Sequence, residues 1–310
     1  MAFTANPGFS QITKLTYTPH WLPQAQFAGF YVALDMGFYQ DANLELTIQH
    51  PSPTEDVLDI LMAGKADIVS HFLISAIVRH QSDNDMVCFG QLSQNCAQMF
   101  VTREKDSINK PEDLNGKRIG IWEAGFQEIP LALIGKYNCT VEWIPIVSSV
   151  NLFLMGGIDA MTVMLYNEYD QIINSGINED ELNPMLFSDF GFNLPEDGLY
   201  CLNETYKNNG DALDRFVAAS LKGWEYAFDN KDYALDLVWK EMKEANIPSN
   251  MAHQKWMLDI TEKMYRQNGK PIKPGELWEQ DYIDALNLLI TIGQLKGNIK
   301  PDFKSFYKKK

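Results

Sequence analysis

The chain has 310 residues, with 26 Lys and Arg against 41 Asp and Glu, a formal net charge of −15. That excess of carboxylates repels nucleic-acid phosphates and anionic lipid, so no nucleic-acid partner is expected. With 45% hydrophobic and 12% aromatic residues the composition is that of a globular protein, and the length exceeds what one core usually supports, so two lobes are expected. Alternating apolar and polar residues predict a strand over 12–18, followed by a helix over 28–36 and a strand over 44–49. A helix over 52–63 has Val57, Leu58, Leu61 and Met62 on one face, and a strand at 66–70 and a helix at 73–80 follow. Strands at 86–91 and 99–102 come next, and the polar stretch 103–116 breaks the pattern.

A second series starts at 118–122: helix 126–136, strand 141–147, helix 150–156, strand 160–165, helix 167–174 and a strand at 199–203. From Asp211 onward the chain reads as helix, ending in an amphipathic segment at 282–295. Strands separated by helices imply βαβ units and mainly parallel sheets. The expected fold is α/β: lobe 1 from 12–104 plus 199–310, lobe 2 from 105–198, two chain crossings as a double hinge, and a ligand cleft between the lobes. No apolar run reaches the ~18 residues of a membrane span. The four cysteines Cys88, Cys96, Cys139 and Cys201 form no C-x-x-C pair, which leaves their redox state open.

Candidate ligand contacts lie where strands end. His20 and Trp21 follow the first strand; Trp21 offers a flat face for a planar ring, or is a core tryptophan. Gln24 and Gln26 supply amide donors and acceptors, and Gly29 would let the helix backbone approach a ligand. Ser70 and His71 end the third strand, where His71 is either a ligand donor or a satisfied buried histidine. Trp122, Gly125 and Phe126 occupy the equivalent turn of the second lobe, with Glu123 and Glu128 beside them. Glu168 could accept two N–H donors from an amino-pyrimidine edge, or merely sit favourably at a helix start. Tyr166, Asn167 and Tyr200 are candidates by position.

Several stretches carry a resemblance. They are Trp21-Leu22-Pro23 running into Gly29-Phe30-Tyr31, Gly37-Phe38-Tyr39, Gly64-Lys65-Ala66-Asp67, Asp113-Leu114 with Gly116-Lys117, and Gly157-Ile158-Asp159-Ala160 followed by Asn167-Glu168. Over residues 12–205 they resemble the NMT1/THI5-like family of periplasmic substrate-binding proteins, which includes pyrimidine, alkanesulfonate and nitrate binders and the fungal thiamine-pyrimidine synthases. The resemblance implies a type II periplasmic-binding-protein fold and capture of a small planar heterocycle, a thiamine-related pyrimidine, by hinge closure. It further implies an ABC transporter permease as partner, a monomer, and a periplasmic or lipid-anchored extracellular location with a signal peptide outside this sequence. Sulfonate, nitrate and riboflavin remain alternative ligands, and a sensor input domain an alternative role. The synthases use a cysteine-rich run and a lysine/histidine pair for iron and pyridoxal phosphate. Here the run is represented by Gly198-Leu199-Tyr200-Cys201-Leu202, and His71 and Ser75 stand in the place of the pair. A Schiff base needs a lysine amine, so a binder without enzyme activity or cofactor is expected, and a synthase-like enzyme using pyridoxal phosphate is the alternative. The five histidines show no metal spacing, so no metal is expected either.

Overall fold

A computed structural model of the chain describes residues 12–309 except 84, 123–125, 148, 249, 268, 300 and 301. Its first half builds β1 (Thr13–Thr18), α1 (Ala28–Asp35), α2 (Phe38–Asp41), β2 (Leu44–Ile48), α3 (Val57–Met62), β3 (Ile68–His71), α4 (Leu73–Asp83), β4 (Met86–Gln91) and β5 (Gln98–Arg103). Then come β6 (Arg118–Trp122), α5 (Glu128–Lys136), β7 (Glu142–Ile146), α6 (Asn151–Leu154), β8 (Ala160–Met164), α7 (Glu168–Asn174), β9 (Leu182–Leu186) and β10 (Gly198–Leu202). The rest is α8 (Asn203–Asp229, kinked at Asn209), α9 (Lys231–Glu244), α10 (Met251–Tyr265), the ribbon β11 (Arg266–Gln267) and β12 (Lys270–Pro271), α11 (Glu279–Thr291) and α12 (Phe303–Phe306).

Two five-stranded sheets result, ordered β2-β1-β3-β10-β4 and β7-β6-β8-β5-β9. In each, a parallel trio from βαβ units forms one side of the sheet and is extended by two strands, of which the inserted one comes from the far side of a crossing. Thus β10 runs antiparallel to β3 and β4, and β5 runs antiparallel to β8 and β9. This corrects the sequence-based boundary. β5 belongs to the second sheet, so the chain first crosses at 92–97 rather than after 104, and it returns through 187–197.

β9, like the two-residue strands β11 and β12, is absent from the strands expected from sequence. β9 lies at a sheet edge, where Pro184 removes no ladder hydrogen bond that a neighbour needs. Conversely, α3 starts only at Val57: Asp56 caps it by accepting from Leu58 N at 2.8 Å, so 52–55 are free to form a loop.

Period-two burial covers both faces of the second sheet. Met99 and Val101 of β5, with Met161 and Val163 of β8, face a cluster around Phe153 and Ile172, while Phe100 and Ala160 face the main core. In the first lobe α1 packs on α8 at very short range. A Cβ on Gly29 would lie inside the indole of Trp224, and one on Gly223 inside the Gly29 carbonyl. Trp224 is buried, against Phe228 at 5.2 Å and Tyr265 at 4.8 Å between ring centroids. Gly29 is therefore a helix-packing residue turned away from the cleft, which corrects its expected role beside a ligand.

Candidate ligand-binding cleft

The carboxyl ends of the parallel strands of both sheets face one another across a cavity of about 450 Å³, within the usual range for small-molecule sites. From the first lobe come His20, Trp21, Gln24 and Gln26 after β1, the loop 53–56 with Val57 at the start of α3, and His71 at the end of β3. The second lobe contributes Trp122 and Phe126 after β6, Ile146 and Val147 at the end of β7, and Tyr166, Asn167 and Glu168 after β8. Gln98, first residue of the antiparallel β5, completes the wall.

On the first-lobe side the polar groups hold one another. Gln24 Nε2 donates to Gln26 Oε1 at 2.7 Å, and Gln26 Nε2 in turn faces His20 Nε2 at 3.0 Å and Tyr166 Oη of the opposite lobe at 3.1 Å. With His20 Nε2 accepting, its proton sits on Nδ1, toward Ser70 Oγ at 3.3 Å and Asp197 Oδ1 at 3.4 Å. Burial, helped by the nearby His71 and His50, pushes the His20 pKa well below its ordinary value. Burial also raises Asp197 to about 7, against a hydrogen bond from Gln26. His20 and Asp197 thus meet as a hydrogen-bonded pair rather than an ion pair. His71 accepts from Phe72 N on Nδ1 at 2.8 Å, which puts its hydrogen on Nε2, and burial lowers its pKa to about 4. Behind Trp21, His50 Nδ1 donates to the Trp21 carbonyl at 2.6 Å and its Nε2 meets Tyr31 Oη at 2.8 Å, so the backbone carrying the indole is pinned.

On the second-lobe side Trp122 Nε1 donates to Thr162 O at 2.9 Å, which fixes the ring against its own sheet. Phe126 stacks edge-on to Phe72 of the first lobe at 5.0 Å, and its carbonyl accepts from Gln98 Nε2 at 2.6 Å. Glu168 accepts from Met164 N at 2.9 Å and from Asn167 Nδ2 at 2.7 Å. Burial nevertheless dominates these bonds and raises its pKa to about 7. Among the described lining residues there is no Lys or Arg, while Glu55, Asp56 and Glu168 are carboxylic. The wall is therefore aromatic and acidic, with neutral imidazoles.

Of the residues proposed from sequence, His20, Trp21, Gln24, Gln26, His71, Trp122, Phe126, Tyr166, Asn167 and Glu168 line the cavity. Gly125 and Glu123 lie outside the described residues. Ser70 is buried beneath the site, accepting from Tyr17 Oη at 3.0 Å and supporting His20 instead of facing the cavity. Tyr200 is also displaced from its expected place: it is fully buried and packs on Phe306 at 6.2 Å, because β10 runs antiparallel and leads away from the cleft beyond Gly198. Glu128 turns behind Phe126 into the interior, where burial raises its pKa, and does not face the cleft. Sequence reasoning missed Gln98, the 53–56 loop and Asp197. Antiparallel strands present their beginnings, not their ends, at the cleft, and that register is not written in local periodicity.

A sequence profile of the family described as NMT1/THI5 like matches residues 24–234. The formylaminopyrimidine-binding protein of Halalkalibacterium halodurans is 24% identical over 278 residues, 86% of this chain and 83% of that protein. The riboflavin-binding protein RibY of Chloroflexus aurantiacus is 24% identical over 295 residues, 90% of this chain and 82% of that protein. The periplasmic aliphatic sulphonate binding protein SsuA of Escherichia coli superposes with a TM-score of 0.71 at 14% identity, covering 94% of this chain and 91% of that one. The two-lobed architecture is the periplasmic-binding-protein fold, and the chain belongs to the NMT1/THI5 like family.

Proposed function

We propose that this protein is the solute-binding component of an ABC importer, working on the outer side of a cell membrane, and that it captures a neutral, amine-bearing planar heterocycle, a thiamine-related pyrimidine. The observation that carries the reading is the composition of the cleft. Aromatic faces come from both lobes, Glu168 lies among them, and the described wall holds no cation to balance an anionic ligand. Lobe rotation about 92–97 and 187–197 brings Trp21 and Trp122 onto one ring and excludes water, which strengthens the Glu168 contact. The similarity to a formylaminopyrimidine-binding protein supports this ligand class. A larger fused ring such as a flavin is the second reading, favoured by a cavity of about 450 Å³ that is roomy for a single ring.

Glu168→Gln tests the assignment. A carboxylate can accept two N–H donors from an aminopyrimidine edge, whereas an amide keeps only one acceptor oxygen. Calorimetry is expected to show at least about a tenfold loss for formylaminopyrimidine and a much smaller one for a matched ring without N–H donors. Equal losses would remove the role. The same variant has a pH signature. The folded protein keeps the Glu168 proton up to about pH 7, whereas the unfolded chain releases it near 4.5. That contribution to stability is present below 4.5 and is lost as the pH rises to about 7. The substitution partly flattens this section of the ligand-free stability profile, leaving the parallel contributions of the other buried carboxyls Asp197, Glu196 and Glu128.

A further inference from the structure

Helix α10 lies outside the cleft, yet it is bonded to both of its walls. Gln254 is buried, and its Oε1 accepts from Ala25 N at 2.7 Å, between the cleft residues Gln24 and Gln26. One residue earlier, His253 reaches the other lobe: Nδ1 lies 2.6 Å from Asp170 Oδ2 and Nε2 lies 3.1 Å from Asn167 Oδ1. Trp256 Nε1 adds a bond to Leu165 O at 2.9 Å. The turn that projects His253 is set locally, since Asn250 caps α10 by accepting from His253 N at 2.7 Å.

The orientation of the Asn167 amide follows from its partners. Its oxygen receives Gln171 Nε2 at 2.9 Å as well as His253, and its Nδ2 donates to Glu168 Oε1 at 2.7 Å. Both imidazole nitrogens therefore face acceptors, Asp170 Oδ2 on one side and the Asn167 amide oxygen on the other. The result is a continuous chain, Asp170, His253, Asn167, Glu168, that starts on α7, passes through His253 on α10 and ends in the cavity. Asn174 Nδ2 closes its outer end by donating to Asp170 Oδ2 at 2.7 Å.

We infer that His253 is a positioning residue for ligand discrimination: it orients the Asn167 amide, which orients the Glu168 carboxyl toward the N–H donors of the bound heterocycle. The inference rests on Glu168 being a ligand contact, as proposed above. A carboxyl group held from one side by Met164 N and from the other by an aligned amide has one preferred lone-pair direction for its ligand. Without His253, the amide retains only Gln171 on its oxygen, and Glu168 keeps Met164 N as its one fixed partner.

Two measurements on the full chain test this. In the ligand-free protein, ¹⁵N-correlation spectra of the Asn167 side-chain amide are expected to show a slowly exchanging Nδ2 proton that becomes fast in His253→Ala. It is expected to stay slow in Trp256→Phe, which loses a bond from the same helix but leaves the chain intact. In calorimetry, His253→Ala is expected to weaken formylaminopyrimidine about tenfold but to leave a matched ring without N–H donors within about twofold. His253→Gln, which restores a donor at the Nε2 position, recovers most of the loss. An Asn167 amide unaffected by His253→Ala, or equal losses for both ligands, overturns the inference. If the unsubstituted protein binds neither ring, the ligand assignment fails, while the amide measurement still decides the positioning role.

Discussion

Trp21→Ala is expected to weaken heterocycle binding by about a hundredfold while the chain still folds. Truncating an aromatic anchor in a desolvated pocket costs on the order of 2–4 kcal/mol, of which stacking geometry supplies about 0.5–1.5 kcal/mol and lost burial the rest. Stability is less affected because the indole is half-buried and its backbone is held independently by His50. Calorimetry with formylaminopyrimidine and circular dichroism of the variant separate the two effects. Affinity retained within about threefold of the unsubstituted protein would exclude stacking on Trp21.

Gly29→Ala is expected to destabilise the fold by about 2 kcal/mol. Two effects oppose each other here. Alanine in a helix interior gains about 1 kcal/mol over glycine, but the new methyl enters the Trp224 indole, which Phe228 and Tyr265 prevent from moving aside. Overpacking of this kind costs about 1–3 kcal/mol or more, and here α1 would have to part from α8, where Gly223 is equally tight against Gly29. Urea unfolding monitored by tryptophan fluorescence reads the outcome. A stabilised variant that had lost ligand binding would instead show that Gly29 makes room for a ligand.

These two positions show what local sequence can and cannot reveal. Trp21 follows a strand, and a parallel strand's carboxyl end faces the cleft, so its place was legible from order alone. The same logic found His71, Trp122 and Glu168. Gly29 looked similar, at the start of the next helix, but its environment is set by Gly223 and Trp224, almost 200 residues away. Tyr200 and Gln98 failed for a topological reason. Both sit on strands inserted antiparallel from across the hinge, so the strand-end rule reverses for them. The charge argument changes in the same way. Of the three glutamates placed around the cleft from sequence, only Glu168 is shown to line it; Glu128 lies behind Phe126. The acidity of the site comes also from Glu55 and Asp56, in a loop that was read as helix.

The cleft's chemistry is tested most directly by thermal unfolding of the unsubstituted protein with formylaminopyrimidine, and in parallel with an aliphatic sulfonate and with nitrate. Free ligand at 100 times its dissociation constant adds about 2.7 kcal/mol to the folded state. Stabilisation of that size by the aminopyrimidine, with none from either anion at equal concentration, is the expected result. Stabilisation by the sulfonate or nitrate with no response to the pyrimidine would contradict the account.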